Sequence, residues 1–247
     1  MKKIIIFFII FIFPCSLFSA NFEFALGGGI GTTIDFSQIV VSLNLAKAEN
    51  GSRTDSGFSA NAFIDIGANF ELQNAGALNS ISVLFETGYY YYMRIRSKFN
   101  YATEKRHRFI YQNLILGVLP KLNFDYGISL GIGAGIFLPL CGEIIQKGNE
   151  YVIGLGSYSG ETKLNSKQIL YMYKVPIMPY IKLTLERNFY ISKSFSFKVG
   201  GNILYNFGME FDMDNLRKNT DMYTHNKYNF SSLAFEVFLG FGFGRPR

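Results

Sequence analysis

Gly57-Phe58-Ser59-Ala60-Asn61-Ala62-Phe63-Ile64-Asp65-Ile66-Gly67-Ala68-Asn69-Phe70-Glu71 alternates without a slip. Phe58, Ala60, Ala62, Ile64, Ile66, Ala68 and Phe70 share one side, with Ser59, Asn61, Phe63, Asp65, Gly67, Asn69 and Glu71 on the other. A period of two is that of a strand with one oily and one wet face. At least six further stretches repeat the pattern, and an export signal precedes them all. The combination predicts an all-β fold: a transmembrane, antiparallel, up-and-down β-barrel.

The export signal is Met1 to Ala20. Lys2 and Lys3 give the positive start, Ile4 to Phe13 the apolar core, and Ser16 to Ala20 the small residues for cleavage. A run of ten apolar residues is short of the roughly 20 a spanning helix needs, and no later segment is longer, so no spanning helix is expected. Cys15 raises lipid attachment as a rival, for which Pro14 is a poor neighbour. Removal of the leader leaves 227 of the 247 residues, enough for one domain and with no linker to divide them. Hydrophobic residues reach 49% and charged residues only 17%, against about 25% charged in ordinary soluble domains. Much apolar surface must therefore face something other than water. Losing Lys2 and Lys3 lowers the formal charge from +6 to +4, too mild to imply nucleic acid. Cys141 is then the only cysteine, so no disulfide framework can form.

Eight strands are predicted. The first, Asn21 to Ile34, puts Phe22, Phe24, Leu26, Ile30 and Ile34 outward and Glu23, Ala25, Gly27, Gly29, Gly31 and Thr33 inward. After the second, quoted above, the third turns Ile81, Val83, Phe85, Tyr89, Tyr91, Met93 and Ile95 outward, with Glu86, Tyr90, Tyr92, Arg94 and Arg96 inward. The fourth, Arg108 to Leu119, is apolar on both faces, which leaves its register weakly specified. In the fifth, Tyr126, Ile128, Leu130, Ile132, Ala134, Ile136 and Leu138 oppose Asp125, Gly127, Ser129, Gly131, Gly133 and Gly135. The sixth sets Tyr171, Tyr173, Val175, Ile177, Ile181, Leu183 and Leu185 against Lys174, Tyr180 and Lys182, although Pro176 and Pro179 argue against a regular ladder. The seventh and eighth put Lys198 and Glu236 inward.

Connection lengths alternate as in bacterial outer-membrane barrels, where short turns face the periplasm. Long connections fall at about 35–56, 97–107, 141–167 and 212–227, and short ones near 73–79, 120–123 and 186–193. Both chain ends are thus expected in the periplasm, with four loops outside. Ile39, Val41, Leu43 and Leu45 also alternate, and Tyr151 to Ser159 does so weakly. As strands these would make ten, or else they are hairpin extensions above the membrane. The loop alternation favours eight.

Leader, alternating strands and alternating loops together resemble the small outer-membrane barrels of the OmpA and OmpX type, over the whole mature chain. The resemblance is architectural. It implies a bacterial outer-membrane location, contact with outer-membrane lipid, insertion by the barrel assembly machinery, and a monomer. Leu239, Phe241 and Phe243 look like the terminal aromatic signal of that family, followed here by Gly244 to Arg247. The Ile-, Phe-, Asn- and Lys-heavy composition is similar to that of an AT-rich bacterium such as a spirochaete.

An eight-stranded barrel has an interior that side chains can just fill. Asp65, Glu71, Glu86, Arg94, Arg96, Asp125, Lys174, Lys182, Lys198, Glu210 and Glu236 are the predicted lumen charges, and charges in so narrow a space must pair. A largely plugged lumen is the expectation, with a narrow channel for ions or small solutes as the alternative. Gly131, Gly133 and Gly135 would make room for Tyr90 and Tyr92. Their reading as a phosphate loop fails for want of a following helix.

Arg94, Arg96, Lys98, Lys105, Arg106 and Arg108 flank one external loop with only Glu104 to offset them. Lys98, Lys105, Arg106 and Arg108 form the candidate binding patch for an anionic surface or host ligand, as in an adhesin. The plainer reading is a rim resting on anionic headgroups. Tyr89 to Tyr92 read as an aromatic girdle. His107 and His225 lie in loops with no serine nucleophile placed beside them, so no catalytic residue is assigned. Asp212, Asp214 and Asp221 lack the glycine and the closing glutamate of a calcium loop, and neither a metal nor a cofactor is expected.

Overall fold

The computed structural model describes residues 20–41, 51–72, 76–100, 103–152, 156–212, 214 and 225–244. Residues 1–19 of the expected leader, Cys15 among them, lie outside these. Among the described residues nine strands and one α-helix follow in order: β1 (Ala20–Val41), β2 (Gly51–Glu71), β3 (Leu78–Asn100), β4 (Thr103–Phe124), β5 (Ile128–Val152), β6 (Gly156–Leu164), α1 (Ser166–Met172), β7 (Met178–Tyr190), β8 (Phe195–Asn206) and β9 (His225–Phe243). Every ladder is antiparallel. Eight strands form a ring in the order β4-β3-β2-β1-β9-β8-β7-β5, which closes through the β4–β5 ladder. β6 pairs with the outer part of β5 and extends that hairpin without joining the ring. The alternating segment at Ile39 and Val41 prolongs β1 in the same way, so the ring numbers eight.

The barrel is inside-out by the standard of soluble proteins. Phe22, Ile30, Ile132, Leu185 and Val237 stand outward and more than half exposed. The inward faces carry Glu23, Asp65, Lys121, Glu186 and Lys198, all nearly inaccessible. An apolar belt running round a closed sheet is stable where lipid covers it. The chain is therefore a membrane-spanning β-barrel. No helix among the described residues is long and apolar enough to cross a membrane.

Strand lengths divide the molecule into two ends. The turn end holds the start of β1, the finish of β9 and the tight connections at 72–77, 125–127 and 191–194. At the opposite, hairpin end, β3 runs to 23 residues, about twice the 9–11 a tilted strand needs to cross a bilayer. β7 and β8 have only 13 and 12. The wall above the membrane is consequently one-sided, built from β9, β1 to β5 and β6. Most of the expected loops at 35–56, 97–107 and 141–167 are really these prolonged strands.

Two sequence expectations fail here. The turn placed at Pro120 to Asn123 is strand, because β4 continues to Phe124 and the chain reverses at Asp125–Gly127. That turn needs left-handed backbone at Tyr126 (φ 60°) and Gly127 (φ 74°). Pro120 is tolerated because the β4–β5 ladder has no pair between Val118 and Lys121, where its missing N–H would have been needed. The strand expected from Tyr171 begins only at Met178. Asn165 and Gln168 form a reciprocal capping box, the Asn165 side chain accepting from Gln168 N at 3.0 Å and the Gln168 side chain from Asn165 N at 2.8 Å. They start α1, which buries Ile169 and Met172 on one face.

Candidate functional site

The lumen is the site where chemistry-bearing side chains converge. A chain of alternating charges runs through its turn-end half. Glu23 meets Lys198 at 3.4 Å, Lys198 meets Glu186 at 3.5 Å, Glu186 meets Lys121 at 3.0 Å, and Lys121 reaches Asp65 at 3.7 Å. Lys182 pairs with Glu86 in the middle of the barrel. Nearer the turns, Asn69 and Asn123 both donate to Ser80 and Ser82, and Ser82 donates to Glu23 at 2.5 Å. Glu236 is held by neutral donors, Ser59 at 2.8 Å, Asn61 at 3.0 Å and Asn202 at 3.4 Å. Toward the hairpin end Tyr92 donates to Asp35 at 2.5 Å, and Arg94 bonds Asp55 at 3.0 Å with its guanidinium over the Phe230 ring. Charges stripped of water survive only with such partners.

Aromatic rings close the lumen above this network. Tyr90, Phe137 and Tyr180 stack at centroid separations of 4.3 and 4.5 Å. Tyr111 lies among Tyr92, Phe230 and Tyr173, its hydroxyl against that of Tyr173. The plug itself is α1 with residues 173–177 and 207–212, and it seats Ile169, Met172, Tyr173, Met209 and Phe211 with at most 4% of their surface exposed. A bridge between Tyr173 and Phe211 and backbone bonds from Lys174 N to Glu210 O and Asp212 N to Met172 O tie its two segments together. It fills the side that the short β7 and β8 leave open. At the opposite end a recess of about 740 Å³ opens beside Glu71, Asp125, Arg187 and Asn188.

The sequence-derived site residues fall into three groups. Asp65, Glu86, Arg94, Lys182, Lys198 and Glu236 are buried in the lumen. Asp125, Lys174, Glu71 and Glu210 are not buried lumen charges, and this corrects the expectation for all four: Glu71 is exposed at the turn end and Glu210 is part-exposed beside Lys174. Asp125 is exposed in the turn that follows the lengthened β4. Lys174 lies past α1 rather than on a strand, half-exposed, with its Nζ 2.6 Å from Glu210. Arg96, Lys98, Lys105 and Arg106 have side chains outside the described residues, as do His107 and His225. Their backbone register sets Lys98 opposite Lys105 and Ser97 opposite Arg106 near the tip of the β3–β4 hairpin. Arg108 is exposed on the same hairpin.

Sequence reading missed Lys121, Glu186 and Glu23 as ion-pair partners. Continuing the odd-numbered phase of β4 past Leu119 would have carried Lys121 and Asn123 inward. The three inward glycines also serve different neighbours from those expected. A Cβ at Gly135 would stand 2.8 Å from the Tyr180 hydroxyl, and one at Gly131 or Gly133 would press on Leu119, so the space goes to Tyr180 and the lysines rather than to Tyr90 and Tyr92.

Outside the membrane the Lys174–Glu210 latch is held in its charged form, since the hydrogen bond to Glu210 and then that residue's charge raise the Lys174 ammonium above its ordinary 10.5. A base raised on folding contributes below its unfolded value, so the latch is complete at neutral pH and is lost only as pH climbs through the higher folded value. Exposed as it is, it contributes little. Lys174→Ala is expected to leave the urea midpoint of the refolded barrel nearly unchanged at pH 7 while quickening protease cleavage within 207–212. A large drop in the midpoint would make the latch a main support of the barrel.

No family model matches the sequence, and no curated protein matches it. Solved structures of similar architecture include the outer membrane protease OmpT of Escherichia coli, 8% identical, covering 91% of this chain and 96% of that one at a TM-score of 0.39. Neisserial surface protein A is 10% identical over 87% and 95%, at 0.38. The attachment invasion locus protein Ail of Yersinia pestis, solved with the heparin analogue sucrose octasulfate, is 10% identical over 90% and 99%, at 0.35.

Proposed function

We propose that this protein is an integral barrel of a bacterial outer membrane, with a plugged lumen, whose work is done by its protruding hairpin end as a structural or ligand-binding surface. The observation that carries the reading is the aromatic plug of Tyr173, Phe211, Phe230 and Tyr111 seated over an ion-paired interior. In that reading the turn end, with both termini of the barrel, faces the periplasm, and the hairpins face outward. The test is single-channel recording of the refolded chain in a planar bilayer, with Lys182→Gln alongside. Silence from protein shown to be folded is the expected result. Discrete steps whose ion selectivity changes in Lys182→Gln would replace this reading with that of a narrow channel.

The basic tip of the β3–β4 hairpin supplies the binding surface in this proposal. Lys98, Lys105, Arg106 and Arg108 lie on one hairpin, and a focused positive field at the end of a lever suits an anionic partner such as a sulfated polysaccharide. Cells displaying Lys105→Glu/Arg106→Glu are expected to lose at least about tenfold in heparin affinity, the size that some 1.4 kcal/mol of lost attraction gives. Unchanged binding would make the hairpin a rim for headgroups alone.

A further inference from the structure

We propose that the lumen binds a small monovalent cation, sodium or potassium, between Asp65, Glu86 and the Tyr180 hydroxyl. The five residues Asp65, Glu86, Gly117, Gly135 and Tyr180 form one unbroken row across β2, β3, β4, β5 and β7. Two carboxylates therefore stand directly opposite each other on neighbouring strands, an arrangement that repels unless a cation is shared. Next come two glycines without side chains, over which Tyr180 leans back toward the acids. A Cβ on Gly117, the register partner of Glu86, would stand only 2.3 Å from the Tyr180 hydroxyl.

Lysines reach one oxygen of Glu86 and one of Asp65 but not Asp65 Oδ1. Lys182 is taken by Glu86. Lys121 bonds Glu186 at 3.0 Å and leaves Asp65 Oδ2 at 3.7 Å. Among the described residues Asp65 Oδ1 and the Tyr180 hydroxyl have no hydrogen-bond partner, although each residue is only 2% exposed. The charge count points the same way. Below Arg94 the buried lumen residues include five carboxylates, Glu23, Asp65, Glu86, Glu186 and Glu236, but three lysines. Glu236 has neutral donors on both oxygens, which leaves Asp65 as the acid with an unserved oxygen. Hard oxygen donors in an anionic recess suit an alkali cation, whereas calcium takes six to eight oxygens and magnesium an octahedron, more than this row offers.

The test refolds the full chain into detergent from the start in sodium, potassium or N-methyl-D-glucamine chloride, at equal ionic strength and pH 7.5, and reads the midpoint of heat modifiability on gels. N-methyl-D-glucamine is too large for the lumen. The expected result is a midpoint about 2–4 °C lower in it than in the favoured alkali salt, the shift that saturation severalfold above Kd produces in a chain of this size. Asp65→Asn is expected to erase the difference. Should that variant not fold, sodium-23 relaxation on the wild-type protein, quickened by rapid exchange with the slowly tumbling bound ion and slowed in Tyr180→Phe, reads the same site. Equal midpoints in all three salts, or a salt difference that persists in Asp65→Asn, would overturn the proposal. So would a midpoint that rises with acid and ignores the cation, since a shared proton would then fill the role.

Discussion

Replacing Lys121 by alanine is expected to cost about 3–5 kcal/mol of unfolding free energy, the range for breaking a buried ion pair from one side. Lys121 is 2% exposed and stands between Glu186 and Asp65. Without it Asp65 loses its lysine and Glu186 keeps only Lys198 at 3.5 Å, in a space that water cannot reach, and the loss of packing adds to the cost. The charge argument has its own control. Lys121→Met with Glu186→Gln and Asp65→Asn removes the cation and both anions together while keeping volume, and most of the lost stability is expected to return. Urea unfolding of the refolded barrel in lipid vesicles, followed by tyrosine fluorescence, measures both. A Lys121→Ala barrel within about 1 kcal/mol of the parent would mean that water enters the lumen freely, and the plugged reading would fall with it.

The second large effect is local. Gly208 has φ of +70°, and a Cβ there would lie 1.5 Å from the carbonyl oxygen of Phe230 on β9. No rotation of a neighbouring side chain relieves a collision with backbone, so Gly208→Ala must push residues 207–212 off β9. The plug loses its second segment, since Phe211 carries the bridge to Tyr173. The expected outcome is rapid hydrogen exchange at Asp212 and Tyr173, whose amides are tied within the plug, while the β1–β9 ladder stays protected. Protection unchanged at those amides would show that the segment is held from elsewhere.

How far the sequence spoke for itself follows from the physics of each element. Period two is imposed by lipid on one face and charge on the other, so β2, β3, β8 and β9 could be read residue by residue from Phe58, Tyr91, Val199 or Val237. The signal weakens where that contrast fades. β4 has Leu114, Ile115 and Leu116 in a row, and Pro120 looked like a stop because a ladder's tolerance for a missing N–H is a property of the neighbouring strand. α1 was hidden by the alternation of Tyr171 and Tyr173, although the Asn165–Gln168 cap announced it. The charged interior was half legible. Which residues face inward follows from phase along one strand. Which acid meets which lysine depends on the stagger of eight strands round a ring, and no single strand carries that. Glu23 and Lys198 are 175 positions apart.

The β1–β9 ladder joins Phe24 to Phe243, so the first and last described strands are neighbours in the finished wall. Until β9 arrives, β1 has only β2 beside it and its other flank of backbone amides and carbonyls is bare. The ring thus closes only once β9 is available, and every earlier species is an open sheet with two sticky margins and an oily back. Long-range pairing of this kind is intrinsically slow. A chain built this way must be kept from meeting its own copies for the whole of its journey, and it becomes safe to leave alone only at the last step.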